Sequence, residues 1–593
     1  MTIRGVCRFG WALAVWAGVC AVAASGANGK IDEVPEGGKR VRIVYLNPAD
    51  RECQPHYQER LDRVMTDIQA WYRDEMQRNG FGPLTFPLER DADGKLVIHV
   101  VQGTRAYADG EEITSGEMRD NQVKPALAER GIDIDREHII IFANTVFMSQ
   151  STEEEGAVIL RGFSHYCGTG DNRRGTAWVT DTELLDTRNL PLEKPKVLDG
   201  GTRPYTLGGY VVTYVGGVAH EFGHALGLPH NRETPEQLEE LGYALMGSGN
   251  YHLFGERAGR DKGSFLTKAH ATVLSTHPLF TRSMQDIDVD AKVEWQDLSF
   301  EAGAGEYVVR GRVTTNLPAY AVVAYHDGVE RRMDYDATSW VGPVSGTGRF
   351  EVRVSALTPG EYQLRLRCYL RNNTKQQLEY RFALDDTLKL PVAELERQTI
   401  YELHARPAIA ARDAGALGGA IEKLAGTDDV LYQRARAYQR LWERPETPGT
   451  PLAEIAADVT SVALSTVAWE SAEVGWDRPM VDRIGTQPLE SGVRFHDQGI
   501  YAHANSRFVY KVDGQWRRFV SGYGLQNHND GSVVFVVKCD GVEKFRSPMV
   551  KEWTEEQVEI DLADVTTLEL IVEDGDNGKW GDAGIWFSPR LER

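Results

Sequence analysis

The chain has 593 residues and 66.2 kDa, with 41% hydrophobic and 26% charged residues. Folded, core-forming domains are therefore expected along its length, about four at 150 residues each. A net charge of −21 argues against a nucleic-acid partner or an anionic membrane surface, and six well-separated cysteines exclude a disulfide-dense scaffold or a four-cysteine zinc ribbon.

Residues 1–27 read as a leader. Arg4 and Arg8 make a positive start, Trp11 to Ala24 is an uncharged apolar run, and small residues (AASGA) follow. This is the layout of a secretory signal peptide. The run falls short of the roughly 20 residues a membrane span needs, and no later stretch qualifies. The expected product is exported, extracellular or periplasmic, without a transmembrane segment. Export permits a disulfide, and Cys53 with Cys167 is the simplest pair.

Residues 28–287 read as an α/β (α+β) domain. VRIVYLNP (41–48) is a strand, and 57–76 carries Leu61, Val64, Ile68, Trp71 and Met76 at helical spacing. KLVIHVV (95–101) and EHIIIFAN (137–144) are buried strands, and RGTAWVTD (174–181) is a more polar one. From 288 to 390 the period becomes two, as in Tyr362, Leu364, Leu366, Cys368 and Leu370, which reads as a β-sandwich with Cys368 inside. Residues 391–455 are a helical segment, with Thr427 as an N-cap, and a Pro-rich linker (445–451). Residues 456–593 are short strands with Trp, Gly and Asp in the turns.

One segment carries chemistry, VAHEFGHALGLPH. On a helix, His220 and His224 share a face and can meet one ion. Glu221 beside them reaches the ion's open side without ligating it. Gly227 can take positive φ, so the chain can turn back and deliver His230 as a third nitrogen. Three imidazoles leave a fourth position for water, as a catalytic Zn2+ requires, and Glu221 can take that water's proton. The preceding GGYVVTYVGGVA (208–219) fits either a buried helix start or a strand-like lead-in.

HEFGHALGLPH resembles the extended zinc signature of the metzincin metallopeptidases and is similar in wording to that of the matrix metalloproteinases. The resemblance implies a methionine turn beneath the metal, for which YALMGSGN offers Met246, preceded by a short helix capped by Thr234 and Gln237. It also implies an extended polypeptide substrate paired with an edge strand. RGTAWVTD, with Ala177 and Trp178 at its centre, is either that edge or an ordinary sheet strand. Asn231 after the third histidine departs from the better-known subfamilies. Gly-Ser-Gly stands where some metzincins place a tyrosine after the methionine, with Tyr243 and Tyr251 nearby.

Residues 465–593 carry LSTVAWESAEVGWDRP, GIYAHANSRFVYKVDGQWRRFVSGYGL and EDGDNGKWGDAGIWFSPRL. These resemble the carbohydrate-binding module (NPCBM) found with glycoside hydrolase family 98, a β-sandwich. The resemblance implies a glycan ligand, and Trp469, Trp476, His503, Asp582 and Trp586 have suitable side chains for one. Gln526 stands where that family usually has Asp. Asp574, Asp576 and Asn577 form an oxygen-rich turn that either holds Ca2+ or is a plain acidic hairpin.

The expected activity is that of a secreted zinc endopeptidase targeted to glycans or glycoproteins. A glycoside hydrolase would need a carboxylate pair flanking a sugar cleft, which no segment announces. A non-catalytic adhesin with a vestigial zinc site is opposed by the intact Glu221.

Overall fold

HIIIFA (His138–Ala143) is buried at every residue and lies at the centre of a five-stranded sheet. A strand apolar on both faces needs cover on both, as in a mostly parallel sheet. The computed structural model describes residues 31–106, 115–152, 154–162, 166–303, 305–329, 334–426, 429–443, 449–575, 578 and 580–593. The leader, Thr427, Asp576 and Asn577 lie outside them. The chain divides into two compact units, Met1–Leu390 and Pro391–Arg593.

In the first unit the sheet's strands are β1 (Val41–Asn47), β2 (Ile98–Gln102), β3 (His138–Ala143), β4 (Cys167–Gly170) and β5 (Gly175–Thr180). Their spatial order is β2-β1-β3-β5-β4, all parallel except β4, which runs antiparallel to β5. Successive side chains point to opposite faces. Ile43, Tyr45, Ile140, Phe142 and Ala177 join a core with helices α1 (Tyr57–Arg78) and α2 (Leu207–Ala225). Val44, Leu46, Ile139, Ile141 and Trp178 face Met118, Val123 and Leu127 on the other side.

The sequence expectation for Ala177 and Trp178 is corrected here. Both are buried (0% and 4% exposed), and β5 is flanked by β3 and β4. The sheet's edge on this side is β4, whose short Gly-rich run carries little strand signal. The Cys53–Cys167 bridge is also corrected, since the two are not joined. Cys53 follows β1 and its Sγ accepts from Asn47 Nδ2 at 3.1 Å, whereas Cys167 lies on β4 opposite Trp178. Strands β1 and β4 are three positions apart, about 14 Å, twice the Cα separation of roughly 7 Å that a disulfide can span.

A buried ion pair ties α1 to the end of β5. Arg60 donates to both Asp181 oxygens (3.0 and 2.9 Å), and the Tyr45 hydroxyl donates to the same carboxylate at 2.7 Å. Residues 293–384 form two facing sheets of three and four strands, with Cys368 inside and pushed up to about 12 by burial. This first sandwich is continuous with the α/β core: Val323, Tyr325, Ala337 and Tyr369 belong to the same buried cluster as α1 and α2.

In the second unit, helices between Val392 and Glu443 pack around Leu417, Leu424 and Ala435. They precede a sandwich of two antiparallel sheets whose shared core includes Phe508, Tyr510, Phe519, Phe535, Leu570 and Trp586. Arg434 pairs with Glu490 of this sandwich at 2.7 Å.

Removing one partner of a buried pair leaves the other charge uncompensated. Asp181→Asn should therefore cost about 3–5 kcal/mol in urea unfolding, and adding Arg60→Met should recover part of that loss.

Candidate metal centre

The lead-in GGYVVTYVGGVA is helical, as the first half of α2. Thr206 caps the helix by accepting from Gly209 N at 3.0 Å, and most of its residues are buried. His220 and His224 follow at four-residue spacing and project from one face. After Leu226, Gly227 takes φ +80°, and Leu228 N bonds back to Gly223 O at 3.0 Å. This reversal brings His230 against the helix. His224 Nε2 lies 3.2 Å from His220 Nε2 and 3.0 Å from His230 Nε2. One ligand atom from each of the three histidines lies within 4.8 Å of the others. Among the described residues this is the one such group of three His, Cys, Asp or Glu.

The ring orientations decide what this cluster can hold. His220 Nδ1 donates to Leu245 O at 2.8 Å, and His224 Nδ1 donates to Leu228 O at 2.9 Å. An imidazole protonated at Nδ1 presents a bare lone pair at Nε2. These lone pairs face each other with no proton between them, an arrangement a divalent cation satisfies. His220 resists protonation: burial, then the neighbouring His224, lowers it to about 3. The donor set therefore fits a nitrogen-liganded metal such as zinc. Glu221 follows His220 on the helix, and burial pushes its carboxyl up to about 7.

Three segments support this cluster. Met246 is buried, with its sulfur against Gly223 of α2, and its carbonyl accepts from Asn231 N at 3.1 Å. Gly247 N closes a tight turn onto Ala244 O at 2.9 Å. Helix α3 (Pro235–Leu241) carries the expected reciprocal cap between Thr234 and Gln237. Strand β4 lies against α2 so closely that a Cβ on Gly168 would fall 2.0 Å from Glu221 O. The last strand of the sheet among the described residues thus runs beside the residue after the first histidine.

One residue at the centre carried no signal in the sequence. The Tyr335 ring stacks on His230 with centroids 3.6 Å apart, and it comes from a loop of the first sandwich. The tyrosines nearer Met246 are placed elsewhere. Tyr243 stacks on His252, and Tyr251 is half exposed.

In the C-terminal sandwich the expected sugar-contacting residues separate. Trp586 is fully buried and is corrected to a core residue, whereas Trp469 is partly buried at the margin of the core, edge-on against Phe508 at 5.5 Å. A strand that pairs on both sides turns its large aromatics inward. Trp476 is 71% exposed. His503 and Asp582 are buried nearby: Gly475 N donates to His503 O at 3.0 Å, and Ala504 N donates to Asp582 O at 3.1 Å. Asp582 Oδ1 accepts from Ser532 N at 2.9 Å. Trp580, in the turn before Asp582, is 82% exposed. Its Gly-Lys-Trp-Gly-Asp context was the available signal for it. Gln526 is structural, accepting from Glu490 N at 3.0 Å.

The family described as NPCBM/NEW2 domain matches residues 460–592. Comparison with curated proteins returns no match. Among solved structures, a catalytically inactive OgpA from Akkermansia muciniphila, in complex with an O-glycopeptide (glycodrosocin) substrate, is 24% identical with a TM-score of 0.48, over 58% of this chain and 93% of that one. A CBM51 from Clostridium perfringens GH95, in complex with methyl-galactose, is 26% identical with a TM-score of 0.21, over 22% of this chain and 99% of that one. The M60 catalytic domain with CBM51-1 and CBM51-2 from Clostridium perfringens ZmpB is 13% identical with a TM-score of 0.21, over 65% of this chain and 40% of that one.

The raised Glu221 carboxyl has a consequence for the metal-free protein. Its folded value of about 7 lies above the unfolded value of about 4.3. Stability held by the neutral carboxyl is thus fully present below about 4.3 and is lost as pH rises through about 7. Glu221→Gln should stabilise metal-free protein at pH 8, by at most about 4 kcal/mol, and change little at pH 4.5. Thermal melts at the two pH values test this, and equal effects at both would contradict it.

Proposed function

We propose that the chain is a secreted, zinc-dependent endopeptidase acting on protein or glycoprotein substrates, held near glycans by its C-terminal module. The observation that carries this reading is the convergence of the His220, His224 and His230 Nε2 atoms, with the half-buried Glu221 next to His220 on the helix. Zinc at these nitrogens would supply a Lewis acid that polarises a peptide carbonyl and makes water acidic enough to attack near neutral pH.

The protein's own groups divide the remaining work. The outer side of β4, the last strand of the sheet among the described residues, would offer backbone N–H and C=O groups to an extended peptide. Glu221 accepts a proton from the attacking water at a carboxylate oxygen and delivers it to the amide nitrogen as the C–N bond breaks. Export is supported by the layout of residues 1–27. Glycan targeting is supported by the family match over 460–592 and by two exposed indoles, Trp476 and Trp580, on the C-terminal sandwich. Flat aromatic faces suit the apolar C–H faces of sugars, and a tether of this kind raises local substrate concentration.

Two experiments test the reading. Glu221→Ala should keep stoichiometric zinc by metal analysis yet lower kcat by about 10²–10⁴-fold. Wild-type cleavage by that variant would refute the mechanism. Trp476→Ala with Trp580→Ala should raise KM on a glycosylated substrate while leaving cleavage of its deglycosylated form unchanged. A loss of equal size on both substrates would remove the targeting role.

A further inference from the structure

We propose that Tyr335, carried by the first sandwich, is a catalytic residue of the histidine centre. Its phenol donates a hydrogen bond to the carbonyl oxygen of the scissile peptide as negative charge gathers there. The assignment deepens the peptidase reading above and rests on it.

The placement of the ring is the first support. Tyr335 stacks on His230 at 3.6 Å and 26°, and lies 6.5 Å from the His220 ring and nearly parallel to it. The residue is 38% exposed, so it packs on the centre without being sealed in the core.

The second support is the way the loop is held. The residues after His230 are fastened to those after Tyr335. Asn231 Nδ2 donates to Ser339 Oγ. Arg232 N donates to Ala337 O at 2.6 Å, and Arg232 Nη1 pairs with Asp336 Oδ1 at 3.0 Å. Ala337 is fully buried in the core shared with α1 and α2. The two loops thus form one unit, with an imidazole on one side and a phenol on the other. A donor held in advance costs no reorganisation when charge develops, and it acts more strongly than the same group in water.

The chemistry is the third support. In peptide hydrolysis the water oxygen bonds to the carbonyl carbon while Glu221 takes one of the water's protons. The carbonyl π pair moves onto its oxygen. That pair then returns, the C–N bond breaks, and the proton on Glu221 passes to the leaving nitrogen. Tyr335 keeps its own proton throughout. Its hydrogen bond strengthens only while the oxygen is negative, so it lowers the barrier and not the ground state.

A purely structural role, in which the ring only steadies His230, predicts a different result for Tyr335→Phe. That variant keeps the ring and loses the hydroxyl. In the full-length chain loaded with zinc, it should lower kcat by about 10²-fold at unchanged KM. In the cobalt(II)-loaded chain, visible absorption should show normal cobalt uptake and about tenfold weaker binding of acetohydroxamate, a small ligand that places oxygens on the metal. A Phe variant with wild-type kcat and acetohydroxamate affinity would overturn the assignment. So would one that loses cobalt, because the side chain would then only be steadying the metal ligand. A wild-type chain whose cobalt spectrum is unchanged by His224→Ala would instead remove the histidine centre itself, and this inference with it.

Discussion

Two backbone carbonyls control the centre. Leu245 O and Leu228 O each accept from the Nδ1 of a histidine on α2, and so turn two Nε2 lone pairs towards a common point. Unfixed imidazoles could flip or take the other tautomer, and the cluster would lose its shape. Each carbonyl is itself held by local structure. Leu228 is placed by the Gly227 reversal, and Leu245 by the tight turn that buries Met246. The methionine turn therefore acts on the cluster through its backbone as well as through packing.

The same economy of space explains the glycine on the edge strand. Strand β4 can lie against α2 only because Gly168 has no Cβ to strike the Glu221 carbonyl. That contact sets the height of the sheet edge relative to the helix. The Tyr335 loop meets the His230 loop through Arg232 and Asn231. The first sandwich is thus part of the centre's wall, consistent with a core that runs without a break from α1 into Ala337. In the second unit, paired strands turn Trp586 inward while turns leave Trp476 and Trp580 at the surface.

Some of this was legible in residues adjacent along the chain. The run HIIIFA shows a strand covered on both faces, and the 57–76 periodicity shows a helix with one buried side. The cap between Thr234 and Gln237 needs only three residues of spacing. Other features depended on packing. The resemblance left RGTAWVTD as either an edge or an ordinary strand, and it lies inside the sheet, while CGTG gave no strand signal and is the edge. Trp586 had the residue type of a sugar platform and the position of a core residue.

The sequence by itself determined the local constellation. Helical spacing, one glycine reversal and a third histidine lie within eleven consecutive residues, and bond geometry leaves them few other arrangements. Only the tertiary structure decided which strand borders the centre, which indoles reach the surface, and that a phenol from the first sandwich lies on His230. The physical reason is that these depend on contacts between segments far apart in the chain. Packing of complementary surfaces makes such contacts, and no periodicity or spacing within either segment encodes them.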